Sequence, residues 1–409
     1  MRNGLAAIKG SSLVRWTIAA FFAAAVASAI AAPNPAATPK KEEGFQTAAP
    51  YAILIEAESG SVLYEKNADE LSPPASLSKL MTAEVVFNEI KEGNLKLDDE
   101  FVISTDAWRR GGAPSGGSTM FAPIHSRVKV EDLLRGVIIQ SGNDACIALA
   151  QGIAGNEDAF TRLMEARARE IGLRKSQFAN STGFHDPGHL MTVRELAMLS
   201  RHIISTYPEF YPIYSEREFT WNKIRQQNRN PLLAMNLGAD GLKTGFTKEA
   251  GYGLAGSAVH NDLRFIVVVN GLKSADERAH EAKRILEHGF RNFESRILFA
   301  EGQIIGDAKV LGGAKGSVQL ITPKIVRIMV PRNVNERIVA RIVYQGPVPT
   351  PVEEGQRIGV VKVFRGNALA VEAPLKAAES IGPGSLPQRA LNAMTELVIG
   401  LFRTGASRI

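Results

Sequence analysis

The sequence predicts an α/β (α+β) chain: an antiparallel sheet whose halves flank a helical subdomain, then a small all-β domain and a C-terminal amphipathic helix. Three observations carry this. Two short β segments precede a long stretch of 3.6-residue periodicity. β signals and one closing helix follow that stretch. From about residue 296 alternating segments are separated by Gly/Pro turns. At 409 residues, 45% hydrophobic and 22% charged, the chain is long enough for two or three ordinary globular domains.

The N-terminus stands apart from the fold. Arg2, Lys9 and Arg15 precede an Ala-rich apolar run from Trp16 to Ala32, which contains Ala27-Ser28-Ala29 and Ala29-Ile30-Ala31 before Pro33. A basic start, an apolar centre and small-x-small residues make residues 1–32 a secretory signal peptide, with an uncleaved anchor as the alternative. The run is short for a bilayer span, which needs about 20 residues. Removing it lowers the net charge from +6 to +3. Residues 33–48, rich in Pro, Ala, Lys and Glu, read as a flexible linker, and residues 49–295 as the main domain.

Ala52 to Glu56 and Val62 to Glu65 flank Glu58-Ser59-Gly60, the pattern of a β-hairpin. Pro73-Pro74-Ala75-Ser76-Leu77-Ser78-Lys79 then opens an apolar run, which predicts a helix from near Pro74 to about Glu89. Ser76 falls in its first turn, where backbone N–H groups are free, and Lys79 lies three residues on. Trp108 to Ser118 is too glycine-rich for regular structure and reads as a surface or covering loop. Helical periodicity runs over Val130 to Gly152, Glu157 to Gly172 and Thr192 to Thr206. A short strand spans Gly241 to Phe246, a hairpin spans Gly253 to Val259 and Leu263 to Val269, and a helix from Asp276 to Phe290 closes the domain.

Residues 296–378 alternate, as in Val326 to Val330, Ile338 to Val343 and Ile358 to Phe364, and predict the all-β domain. The last helix, within residues 386–405, puts Ala390, Leu391, Met394, Leu397, Val398, Leu401 and Phe402 on one face. That face either packs on the β domain or lies in a membrane interface, which the basic Arg389, Arg403 and Arg408 favour.

Several classes drop out. There is no block of five basic residues and no nucleic-acid-binding motif. The single Cys146 sits in an apolar run and reads as a buried small residue. His185 and His189 flank Pro187-Gly188, a loop and not a metal-binding helix face, and no Cys/His cluster has zinc spacing. No metal and no cofactor is expected.

Three short motifs carry the chemistry. Ser76-x-x-Lys79 alone is a common helix start, Ser141-Gly142-Asn143 alone an interhelical turn, and Lys243-Thr244-Gly245 alone a strand end with a solvated lysine. In this order, on a helix, a loop and a strand, they match the constellation of penicillin-binding proteins and class A β-lactamases. With their flanks (Pro74 to Thr82, Ser141 to Ala145, Gly241 to Thr247), the chain from about residue 45 to 409 resembles the low-molecular-mass penicillin-binding proteins of the D-alanyl-D-alanine carboxypeptidase type.

That resemblance implies a serine D,D-peptidase without a cofactor. Ser76 would attack the penultimate D-alanine carbonyl of a peptidoglycan stem peptide, with Lys79 as general base and Ser141 relaying a proton to the leaving amine. A like charge nearby and partial burial would depress the Lys79 pKa, and Lys243 can supply that charge if its strand lies beside the helix. Asn143 would bind the substrate amide or orient Lys79. Backbone N–H groups of Ser76 and Phe246 would hold the oxyanion. Gly245 would let the substrate backbone run beside the strand, and Lys243, Thr244 and Arg278 would bind the terminal carboxylate. β-Lactams would acylate Ser76, and the family's terminal helix would sit on the outer face of the cytoplasmic membrane, facing the periplasm. A class A β-lactamase would need a deacylating Glu-x-x-x-Asn in the appropriate interval, which is absent, and the extra β domain is foreign to it. A D,D-endopeptidase uses the same machinery. A non-catalytic wall scaffold is the reading from another class.

Overall fold

The computed structural model describes residues 2–4, 44–332, 337–366, 368–387 and 389. The signal-peptide reading falls outside the described residues except for Arg2–Gly4, a short strand antiparallel to Ile342–Tyr344. Of the terminal helix, only residues 386, 387 and 389 are described.

The first unit is built on five antiparallel strands. In chain order they are β1 (Tyr51–Glu56), β2 (Val62–Lys66), β3 (Ala239–Thr247), β4 (Gly251–His260) and β5 (Leu263–Leu272), and across the sheet they run β2-β1-β5-β4-β3. The central pair joins segments from opposite ends of the unit, with Ile53 opposite Val268 and Leu54 opposite Val267. Both faces are covered, which is why β1 and β5 read as unbroken apolar runs. Ile53, Ile55, Ile266 and Val268 face the helical subdomain. Ala52, Leu54, Phe265, Val267 and Val269 face the closing helix through Ile285 and Leu286.

The helices are α1 (Lys79–Lys91), α2 (Thr105–Gly111), α3 (Val130–Arg135), α4 (Asn143–Ala154), α5 (Glu157–Glu170), α6 (Val193–Thr206) and α7 (Ala275–Asn292). Every residue of α1 from Lys79 to Phe87 is buried, so this helix is apolar nearly all round and runs through the middle of the core. Burying a Leu, Val or Phe side chain there stabilises by about 1.5–3 kcal/mol.

Two local expectations are corrected and one is refined. The helix expected from Pro74 starts as a tightened 3-10 turn, Ala75–Ser78, because Ala75 holds φ +48°, which an α-helix cannot contain. The periodic run from Val130 to Gly152 is interrupted where the Ser-x-Asn motif predicts a turn. It passes through a π-helical turn, Gly136–Gln140, and breaks at Ser141, whose φ of +64° ends the turn before α4 begins. Trp108 to Gly111, assigned to an irregular loop, belong to α2, capped by the Ser104 hydroxyl accepting from Ala107 N–H. Glycine is needed there for packing: a Cβ on Gly111 would meet the Asp144 backbone nitrogen at 2.3 Å.

The segment expected to be flexible through residue 48 is fixed from Phe45 onward. Phe45 stacks on His288 at 4.1 Å, and the Thr47 hydroxyl and Ala48 N–H donate to Glu281 Oε2 at 2.6 and 3.1 Å. After α7 the chain turns directly into strand Phe293–Phe299 and continues as β structure to Ala377. Val318, Leu320, Val361, Val363 and Leu375 form the centre of that second core.

Candidate active site

The two turns described above and the edge strand β3 meet at one point. The tightened turn leaves Ser76 half-buried and puts Lys79 Nζ 2.9 Å from Ser76 Oγ. Lys79 is 1% exposed. Its Nζ also donates to Asn143 Oδ1 at 2.8 Å and to the Thr182 carbonyl. A neutral amine has two N–H bonds and one lone pair. Asn143 Oδ1 and the Thr182 carbonyl can only accept, so they take the two N–H bonds and leave the lone pair for the Ser76 hydroxyl proton. Burial pushes the Lys79 pKa down to about 8, and the Arg229 guanidinium adds to the shift. Of the two expected causes, burial is the larger, although the Asp144 and Glu157 carboxylates oppose it.

Ser141 ends the π-helical turn two residues before Asn143. Its Oγ is buried and lacks a protein partner. Asn143 opens α4, and its N–H donates to the Ser118 carbonyl at 2.8 Å. The next residue, Asp144, holds the covering loop. Its carboxylate accepts from Thr119 Oγ1 at 2.6 Å, Met120 N–H at 2.9 Å and Ala122 N–H at 3.2 Å.

β3 lies at the sheet edge, so its outer edge is available to another extended chain. Lys243 and Thr244 are buried, and Lys243 Nζ donates to the Thr244 carbonyl at 2.9 Å. Burial, followed by the charges of Lys79, Arg229 and Arg278, holds the Lys243 pKa well below its ordinary value. A Cβ on Gly245 would meet the Pro74 carbonyl oxygen at 3.0 Å, so glycine lets the turn that carries Ser76 sit against the strand. Phe246 is 50% exposed and stacks on Tyr252 at 4.2 Å. The Arg278 guanidinium lies 5.6 Å from the Tyr252 ring centre, with a buried Nε that has no protein partner.

All nine sequence-predicted residues therefore come from elements that converge on this cleft. Four contributors escaped sequence reasoning. The Thr182 carbonyl is set by Asn180, whose Oδ1 accepts from the N–H groups of Thr182, Gly183 and Phe184 at 3.2, 2.7 and 3.1 Å. Gly183, with φ +78°, passes so close that a Cβ would meet the Ala75 carbonyl oxygen at 2.0 Å. Asn-Ser-Thr-Gly signals a turn but not a catalytic one. Arg229 donates to Ser118 Oγ at 2.5 Å across the cleft. Asn270, on β5, donates through Nδ2 to Ser72 Oγ at 3.1 Å and the Pro73 carbonyl at 3.0 Å, tying the segment before Ser76 to the sheet.

Comparison with known proteins adds an independent line. A family model described as D-alanyl-D-alanine carboxypeptidase matches residues 36–274, and one described as penicillin-binding protein 5, C-terminal domain, matches residues 293–382. The chain is 41% identical over 336 residues to D-alanyl-D-alanine carboxypeptidase DacC of Escherichia coli, covering 81% of this chain and 84% of that protein. Penicillin binding protein 5 from Haemophilus influenzae superposes with a TM-score of 0.73 at 36% identity, over 82% of this chain and 98% of that one. Penicillin-binding protein D2 from Listeria monocytogenes in its ampicillin-bound form superposes with a TM-score of 0.54 at 32% identity, over 60% of this chain and 99% of that one.

Proposed function

The chain belongs to the D-alanyl-D-alanine carboxypeptidase family, and from that premise we infer a serine enzyme that removes the terminal D-alanine from peptidoglycan pentapeptide stems. The observation that carries the reading is the buried Lys79 amine, 2.9 Å from Ser76 Oγ with its other hydrogens committed to Asn143 and Thr182. Lys79 takes the Ser76 proton as Oγ bonds to the penultimate D-alanine carbonyl carbon. Backbone N–H groups of Ser76 and Phe246 stabilise the oxyanion. The peptide C–N bond then breaks, and the proton passes from Lys79 through the otherwise unpartnered Ser141 hydroxyl to the leaving D-alanine amine. Water, deprotonated by the same amine, hydrolyses the ester and restores Ser76.

Lys243, Thr244 and Arg278 receive the substrate's terminal carboxylate. Arg229 joins them, since its charge bears on both lysines of the cleft. A β-lactam presents the same carboxylate and a strained amide, and acylates Ser76. Mass spectrometry of a pentapeptide after incubation tests the reaction. Loss of one alanine supports it, whereas splitting of a cross-linked dimer with no alanine loss from the monomer replaces it with D,D-endopeptidase activity. Ser76→Ala abolishes labelling by a fluorescent penicillin; retained label means that another residue is the nucleophile.

Export by residues 1–32 and attachment of residues 386–405 to the outer face of the cytoplasmic membrane complete the proposal. The basic and apolar composition of these two segments supports it. None of the described helices is long and apolar enough to cross a membrane. Deleting residues 386–409 releases the protein from membranes while its peptidase activity survives; a truncated protein that still sediments with membranes overturns the attachment.

A further inference from the structure

Beyond the C-terminal end of β3 lies an open groove of about 640 Å³, walled by Leu71, Pro73, Phe246 and Tyr252. Lys248 and Lys273 also line it, with Glu249 as the one opposing charge. Both lysines are exposed, and among the described residues neither ammonium is paired with a carboxylate. Leu71 at 41% and Phe246 at 50% exposure leave an uncovered apolar floor beside these cations.

The direction of a bound peptide connects this groove to the reaction. β3 is an edge strand running from Lys243 toward Lys248, and Gly245 lies against the turn that carries Ser76. A peptide whose terminal carboxylate sits at the Lys243 end must lie antiparallel to β3 as an added strand. Its scissile carbonyl then falls beside Phe246, and every residue upstream continues past Phe246 into the groove. At about 3.4 Å per residue, two residues upstream span about 7 Å, the same two-residue interval that separates Phe246 from Lys248. In a peptidoglycan stem that place is held by a γ-linked D-glutamyl residue, whose α-carboxylate is free.

We propose that this groove is an upstream subsite in which Lys248 and Lys273 bind the free α-carboxylate of the stem's D-glutamyl residue, over the apolar floor made by Phe246, Tyr252 and Leu71. The proposal rests on the carboxypeptidase reading and adds a second anionic contact remote from the leaving D-alanine. Both lysines are solvent-exposed, so their effect is modest and salt-sensitive.

The test compares two stem pentapeptides that differ only in that group, one with the α-carboxylate and one with an α-carboxamide. The full chain is assayed for D-alanine release at low and high salt. The wild type has a kcat/KM ratio of roughly two- to fivefold in favour of the carboxylate at low salt, and the ratio shrinks at high salt. The double variant Lys248→Ala/Lys273→Ala brings it to about one, while Lys248→Arg/Lys273→Arg keeps it. A wild-type ratio of one, or an unchanged ratio in the alanine pair, overturns the subsite while leaving the carboxypeptidase reading intact. No D-alanine release from either peptide overturns both, and is distinguished by the absence of any rate.

Discussion

Asn143 Oδ1 accepts a hydrogen bond from Lys79 Nζ at 2.8 Å, and it does so as a neutral amide. An amide can hold one N–H of the amine without stabilising the protonated ammonium as a carboxylate would. With the Lys79 pKa pushed down to about 8, roughly a tenth of the molecules carry a neutral amine at pH 7. The rate of Ser76 acylation therefore rises with pH and reaches half its plateau near pH 8. Acylation by a fluorescent penicillin between pH 5 and 9 checks this; a flat profile removes Lys79 as the base.

Asn143→Asp places a carboxylate on the same nitrogen. An opposite charge in contact raises a lysine pKa by about 1–3 units. The midpoint of the acylation profile moves up accordingly, and the rate at pH 7 falls by about tenfold or more. An unshifted midpoint in this variant means that Asn143 does not control the amine.

Gly183→Ala fails for a steric reason. Its new Cβ would overlap the Ala75 carbonyl oxygen at 2.0 Å, from a backbone position with φ +78°. The loss is about 2–4 kcal/mol of stability, and each kcal/mol lowers Tm by about 2–4 °C in a domain of this size. Calorimetry measures it, and a wild-type Tm would show that the loop has room to retreat.

Arg229→Ala separates carboxylate recognition from chemistry. Losing a charged donor costs about 1.5–3 kcal/mol, so KM for a peptide ending in a free carboxylate rises by about tenfold or more. For the same peptide ending in a carboxamide it changes little. Equal effects on the two peptides would assign Arg229 to the Ser118 contact alone.

Asn270→Leu unties the segment before the nucleophile. The half-buried Pro73 carbonyl loses its donor, at a cost of about 1 kcal/mol or somewhat more. Because Asn270 touches no substrate, acylation slows several-fold while KM stays near its wild-type value. Steady-state kinetics check the split, and a raised KM with unchanged kcat contradicts the positioning role.

What the sequence could reveal follows from which groups carry information in their side chains. Ser76, Lys79, Asn143 and Lys243 are legible because the proposed acyl transfer calls for those side chains on a helix start, a turn and a strand. The central strands are legible because a sheet covered on both faces leaves unbroken runs such as Ala52 to Ile55 and Phe265 to Val269. The Thr182 carbonyl is invisible, since every residue has one and only the fold decides where it points. Ser141 is legible from its motif, but the π-helical turn before it is not, because that turn keeps the apolar spacing of Val130 to Gly152 nearly intact. The depressed Lys79 pKa is legible only in part, because a neighbouring lysine can be counted in a sequence, whereas how completely the amine is buried is decided by the fold.

The pairing of Ile53 with Val268 across the helical insertion bears on when the protein can act. The nucleophile and the first half of the sheet are synthesised early, but β1 has no central partner until β5 has emerged. Contacts so distant along the chain make assembly slow, because the long intervening loop must close before the pairing stabilises it. Ser76 thus has no β3 edge and no Asn270 tether until the catalytic chain is nearly complete. A partly made chain is chemically silent, and it gains its reactivity together with its fold.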